Sequence, residues 1–332
     1  MKLAVFSTKK WVKESFSRVD TAPLEIVYFE AALNEETALL ARDNDAVCVF
    51  VNDVVNAAVL RELAAGGVKT VALRCAGFNN VDLKAAEEMG ISVCRVPAYS
   101  PYAVAEHALG LIMSLNRKYH RAYSRVREGN FSLDGLMGFD LHGKTVGVIG
   151  TGKIGRVFID ILSGFGVNIL AYDAYPSPEA KAKGVQYVSL ERLYRESDII
   201  SLHCPLTHET YHLINSFAIE TMKDGVMLIN TSRGPLIDTA AVIGGLKSGK
   251  IGSVGLDVYE EEGDLFFEDL SDEVIQDDTF VRLQTFPNVL ITSHQAFFTK
   301  EAVDNIRDTT FNNLRALAQG EELPNKVSWE KG

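Results

Sequence analysis

At 332 residues, with 47% hydrophobic and 23% charged side chains, the chain is long enough for two domains and has the composition of a soluble globular protein. A net charge of −11 argues against nucleic acid, which needs a basic stripe, and gives no attraction to an anionic membrane surface. The N-terminal apolar run is too short for a signal peptide and no stretch nears the roughly 18 apolar residues of a membrane span, so a cytoplasmic location is expected.

Short β-branched runs alternate with helical patterns, the signature of a parallel sheet covered on both faces. In the first part the expected strands are 3–6, 25–29, 46–51, 70–74 and 91–95, with helices near 57–65 and 83–89. Two prolines in Val96-Pro-Ala-Tyr-Ser-Pro101 stop this alternation. One long helix is predicted from Tyr102 to about Arg127, followed by an apolar, glycine-interrupted arm over 131–139. A second alternating unit opens at Lys144, with strands predicted to end at Gly150, Asp173, Pro205, Arg233, Tyr259 and His294. The last helix, 300–319, has no sheet of its own and is expected to return to the first unit. The predicted fold is therefore α/β, with two doubly wound parallel-sheet, Rossmann-like domains and the active site in the cleft between them. Residues 1–100 and 298–332 would form a substrate domain, and 101–297 an inserted nucleotide-binding domain, with hinges near 99–101 and 296–299.

The strongest motif is Gly150-Thr-Gly-Lys-Ile-Gly155, which follows the β-branched run 144–149 and opens a helical pattern. Its glycines suit a tight turn, close backbone approach to a pyrophosphate, and helix-on-strand packing. Free N–H groups of Gly152, Lys153, Ile154 and Gly155 would face the phosphates at the positive end of a helix. A second strand ends in Asp173, close to the roughly twenty-residue offset of a dinucleotide fingerprint. A carboxylate there accepts from both ribose hydroxyls and repels a 2′-phosphate. Ala174, Tyr175 and Pro176 add no cation, so NAD is favoured over NADP.

Arg233, Glu262 and His294 fall at or just after strand ends of this unit. The set is chemically complete for reducing a 2-keto acid. A guanidinium holds the carboxylate and polarises the carbonyl, an imidazolium gives a proton, and a carboxylate steadies the imidazolium. Other residues read as structural. Cys48, Cys75, Cys94 and Cys204 are widely separated and predict neither a disulfide nor a zinc site. His107 and His203 read as satisfied structural histidines; His120, His208 and His212 lack metal-ligand spacing, and no metal is expected. The acidic run 260–273 reads as a solvated face without a calcium-loop pattern.

Taken together, Leu73-Arg-Cys-Ala-Gly-Phe-Asn-Asn-Val-Asp82, Val96–Pro101, Ala105-Glu-His107, the glycine loop, Ser201-Leu-His-Cys-Pro205, Asn230-Thr-Ser-Arg-Gly234, Leu256-Asp-Val-Tyr-Glu260 and His294-Gln-Ala-Phe297 resemble the D-2-hydroxyacid dehydrogenases. Within that family the chain is most similar, nearly end to end, to the NAD-dependent fermentative D-lactate dehydrogenases. The resemblance implies reversible reduction of pyruvate by NADH. It gives Arg233 the substrate carboxylate and carbonyl, His294 the acid/base role, and Glu262 the support of His294, with one residue of slack in the run 260–262. It puts Asp257 on the nicotinamide carboxamide, and Cys204, Pro205, Thr210, Thr231 and Ser232 along the cofactor. It gives the backbone of Ala76 and Gly77 to the carboxylate, and Phe50, Tyr99 and Phe297 to the substrate side chain. The arm 131–139 and the helix before it would form a homodimer interface, within a dimer or tetramer. Two other readings fit the same motifs: a dehydrogenase of bulkier 2-keto acids, and an NAD-sensing corepressor-like binding protein.

Overall fold

Strands that are apolar on both faces must be covered on both faces, and this chain meets that demand twice. The computed structural model describes residues 1–329, with Asp264 by its backbone only. It divides into two compact units, Met1–Ser100 with Phe298–Gly332, and Pro101–Phe297. The last three residues of the expected substrate domain, 330–332, lie outside the described residues.

In the first unit, β1 (Lys2–Val5), β2 (Glu25–Tyr28), β3 (Ala46–Val49), β4 (Thr70–Leu73) and β5 (Ser92–Cys94) are parallel. The sheet order is β13-β5-β4-β3-β1-β2, where β13 (Lys326–Val327) pairs antiparallel with β5. The helix Lys300–Ala318 belongs to this unit because Phe311 and Leu314 enter a core with Leu3, Val5, Phe16, Cys48 and Ala72. The rings of Phe16 and Phe311 meet edge to face at 4.9 Å.

The second unit holds β6 (Thr145–Ile149), β7 (Asn168–Tyr172), β8 (Gln186–Tyr187), β9 (Ile199–Leu202), β10 (Val226–Asn230), β11 (Ile251–Leu256) and β12 (Val289–Ile291). Its order, β12-β11-β10-β9-β6-β7-β8, is doubly wound and reverses between β6 and β9. Such a switch point is where ligands settle, beyond the carboxyl ends of the strands. The helix Pro101–Arg117 covers the far half of the sheet, burying Ala105, Ala108, Leu111, Ile112 and Leu115. Gly255 permits that approach, since a Cβ there would meet Ile229 Cδ1 at 2.9 Å and Leu115 Cδ1 at 3.1 Å.

Two sequence expectations need correction. The long helix of 102–127 is two helices, Pro101–Arg117 and Tyr119–Arg127, broken at Lys118 with φ of +53°. Tertiary bonds select the break: Asn116 exchanges bonds of 2.7 and 2.8 Å with Phe139, and Lys118 Nζ donates to Met137 O at 2.6 Å. The strands expected to end at Pro205, Arg233, Tyr259 and His294 end at Leu202, Asn230, Leu256 and Ile291. Each final three-residue stretch lies past the end of its strand, and Arg233 and His294 close two of these stretches.

Candidate active site

The glycine loop connects β6 to the helix Lys153–Ser163. Gly150 has φ of +95°, and a Cβ on it would lie 2.5 Å from the backbone of His203 and Cys204. A Cβ on Gly155 would lie 2.0 Å from Gly150 O, so neither position admits a side chain. Above Gly152 the space is open. No side chain caps this helix, whereas Asn56, Ser189, Asp238 and Thr299 cap theirs. Its first-turn N–H groups, on Lys153, Ile154 and Gly155, therefore suit an anion.

Asp173, just past β7, accepts from Thr151 N at 2.5 Å, Thr151 Oγ1 at 2.9 Å and Tyr175 N at 2.8 Å. Tyr187 Oη donates to Thr151 Oγ1 at 2.8 Å, a member of this network that no sequence motif signalled. Asp173 thus ties the loop to the strand end while remaining half-buried, with lone pairs left for further donors. Past β10, Thr231 Oγ1 is buried and has no partner among the described residues. An open loop surface, an uncapped helix start and an orphaned hydroxyl fit a dinucleotide along these strand ends. Nearby, Ser232 Oγ donates to Cys204 O at 2.6 Å, and Thr210 Oγ1 to Pro205 O at 2.7 Å, closing the turn after β9.

Arg233 sits in a turn held by Asn230, whose Nδ2 donates to Arg233 O at 2.8 Å and whose Oδ1 accepts from Ser232 N at 3.0 Å. The guanidinium is half-buried and donates to Ser232 O at 2.6 Å; it has no carboxylate partner among the described residues. A cation with donors to spare is the requirement for binding a carboxylate.

His294 Nδ1 lies 2.7 Å from Glu262 Oε1, and Glu262 Oε2 accepts from Tyr259 N at 2.9 Å. The slack in the glutamate run closes here: Glu260 is engaged by His212 at 2.5 Å and by Thr239 Oγ1 at 2.8 Å, leaving Glu262 for His294. His203 offers no alternative acid, since burial pushes its imidazole down to about 3 and Ser201 Oγ holds it at 2.9 Å.

Asp257 lies just past the end of β11. It is 1% exposed, and its carboxylate accepts from Thr292 Oγ1 at 2.5 Å, Gln295 N at 2.9 Å and Ala296 N at 2.8 Å. It anchors the stretch that bears His294, whose backbone N–H donates to Asp257 O at 2.7 Å. His107 joins the same network at Thr292, which its place in an apolar helical run did not disclose.

In the first unit, the carbonyls of Ala76 and Gly77 accept from Arg95 Nη1 at 2.8 Å and Cys75 Sγ at 3.3 Å. Their N–H groups have no partner among the described residues. Phe50 is 6% exposed, under the Arg74 guanidinium at 4.9 Å and edge-on to Trp11 at 6.2 Å. Tyr99 is half-buried, its carbonyl accepting from Asn305 Nδ2 at 2.6 Å; Phe297, in the second unit, is buried.

Residues 109–296 match the family described as D-isomer specific 2-hydroxyacid dehydrogenase, NAD binding domain. Over 328 residues the chain is 58% identical to a D-lactate dehydrogenase of Escherichia coli (strain K12), covering 98% of this chain and 100% of that one. The apo-structure of D-lactate dehydrogenase from Escherichia coli superposes with a TM-score of 0.89 at 55% identity, over 98% of this chain and 100% of that one. A D-lactate dehydrogenase with NAD+ from Lactobacillus jensenii gives a TM-score of 0.81 at 34% identity, over 99% and 100% of the two chains. With this likeness running over nearly its whole length, the chain belongs to the D-isomer specific 2-hydroxyacid dehydrogenases.

Proposed function

We propose that this chain is an NAD-dependent D-lactate dehydrogenase that reversibly reduces pyruvate to D-lactate. The observation that carries the reading is the His294–Glu262 pair at 2.7 Å, with Arg233, Glu262 and His294 following the neighbouring strands β10, β11 and β12. The likeness to D-lactate dehydrogenases over nearly the full length supports the choice of substrate.

Bound NADH supplies the hydride that reduces C2 of the keto acid. Arg233 binds the carboxylate and draws electron density from the carbonyl. With Nδ1 turned to Glu262, His294 gives the Nε2 proton to the carbonyl oxygen, and takes it back when lactate is oxidised. Glu262 orients the ring through its contact with Nδ1. The backbone of Gly150, Gly152, Lys153, Ile154 and Gly155 would hold the pyrophosphate, and Asp173 the ribose. Cys204, Pro205, Thr210, Thr231 and Ser232 would line the cofactor, while Ala76 and Gly77 offer N–H groups to the carboxylate. Phe50, Tyr99 and Phe297 are assigned to the substrate's methyl side.

We place the enzyme in the cytoplasm as a homodimer or homotetramer. Four cysteines without a disulfide suit a reducing compartment, and among the described residues no helix is long and apolar enough to cross a membrane. For the catalytic assignment, His294→Asn should lower kcat by about 10²- to 10⁴-fold, the usual worth of a positioned acid. Arg233→Gln should chiefly raise KM for pyruvate, and wild-type kinetics in both variants would refute the assignment.

A further inference from the structure

We propose that His107 is a positioning residue for the reaction, holding the turn that carries His294 through Thr292 and Asp257; this rests on the reading of His294 as the acid/base. His107 stands on the helix Pro101–Arg117, among buried Ala103, Val104, Ala105 and Ala108. Its Nε2 lies 3.0 Å from Thr292 Oγ1 and 3.4 Å from Asp257 Oδ1.

The direction of each bond follows from counting protons. Thr292 has one hydroxyl hydrogen, and at 2.5 Å from a carboxylate oxygen that hydrogen goes to Asp257. The 3.0 Å contact must then be a donation from His107, so Nε2 carries a hydrogen. Neutral and charged imidazole both allow this, so the bond holds in either protonation state.

Asp257 collects the donors of the turn that follows β12. Besides Thr292 Oγ1, its carboxylate takes the N–H groups of Gln295 and Ala296, and its main-chain oxygen takes His294 N at 2.7 Å. His294 itself sits at φ of +49°, a region that L side chains rarely adopt. Its backbone stays there only while the neighbouring bonds over-determine it. Removing the His107 donor leaves Thr292 Oγ1 without its incoming bond and the buried Asp257 charge without its nearest imidazole. The turn then loosens, and the Nε2 atom of His294 loses its fixed place. A displacement of about 1 Å in a catalytic group costs on the order of 100-fold in rate.

The test compares His107→Phe, which keeps a ring but has no donor, with His107→Gln, whose side-chain amide can still donate. His107→Phe should fold, bind NADH as the wild type does, and lose about 10- to 100-fold in kcat for pyruvate reduction, the upper end being the cost of an ångström's misplacement. His107→Gln should recover most of that loss. Thr292→Val should show a similar loss, and the double variant His107→Phe/Thr292→Val should lose little more than either alone, because both break one chain of bonds. Wild-type kcat in His107→Phe, equal impairment of His107→Gln, or additive losses would overturn the proposal. If His107→Phe fails to fold, Thr292→Val and His107→Gln decide it, wild-type kcat in the former or impairment of the latter overturning it. His294→Asn, measured alongside, separates the two layers. If it keeps turnover, the acid/base reading fails; if it is inactive while His107→Phe is unimpaired, only the positioning role fails.

Discussion

Glu262 and His294 are joined at 2.7 Å with only 24% and 15% of their side chains exposed, and each is placed by a neighbouring backbone. Tyr259 N fixes the carboxylate, and Asp257 O receives the backbone N–H of His294. The pair is thus held in place by its surroundings and is not a surface salt bridge.

On the proposed mechanism, pyruvate reduction and lactate oxidation both depend on the His294 ring that Glu262 orients. Glu262→Gln weakens the acceptor that orients His294 Nδ1, so kcat should fall in both directions by about 10- to 100-fold, the upper end being the cost of a misplaced catalytic group. Steady-state rates in both directions check this, and wild-type kcat would mean that the carboxylate does not act on His294.

Asp173 should set the cofactor preference. Asp173→Ala combined with Ala174→Arg removes a repelling charge and adds a partner for a 2′-phosphate. Relative use of NADPH should improve by about 1–3 kcal/mol, the worth of a hydrogen bond to a charged group. Because Asp173 also holds Thr151, some loss with NADH is expected as well. Full retention of NADH preference in kcat/KM would place discrimination elsewhere.

Phe50 should set how large a keto acid fits. Its main chain is clamped by Asp53 Oδ2 at 2.5 Å and Asn80 Nδ2 at 2.9 Å, so truncation should leave the backbone in place. Phe50→Leu or Phe50→Ala should raise kcat/KM for phenylpyruvate relative to pyruvate by about 10- to 200-fold. A constant ratio in a folded variant would make Phe50 a packing residue only.

The arm leaves Phe131, Leu133 and Met137 exposed by 76%, 83% and 87%, and the helix Tyr119–Arg127 buries no residue. So much open apolar surface is expected to be covered by a second copy of the chain. Light scattering at micromolar concentration should give a dimer or larger, and Leu133→Asp with Met137→Asp should shift it toward monomer. A monomeric wild type would contradict the assembly.

What the sequence discloses is what is local. The glycine loop, its flanking strand and helix, and Asp173 are read directly because the constraints fall within one βαβ unit. Arg233 and His294 stand out as candidates because each closes an apolar run, and the sheet order brings those runs into one sheet, whereas Glu262 is singled out from the run 260–262 only through the family resemblance. The contact between His107 and Thr292 joins residues 185 positions apart, and no spacing rule reaches that far. The break at Lys118 depends on hydrogen bonds from Asn116 and Lys118 to the arm, which outweigh a helical pattern free of proline. The bonds from Gln295 and Ala296 to the Asp257 carboxylate are hidden for a similar reason, since their donors lie beyond the next strand.

The most direct test is the configuration of the product. The purified protein, given pyruvate and NADH, should convert them one for one to NAD+ and lactate, and chiral chromatography should find the D-enantiomer. L-lactate, or no NADH consumption with pyruvate while a bulkier 2-keto acid is reduced, would contradict the assignment.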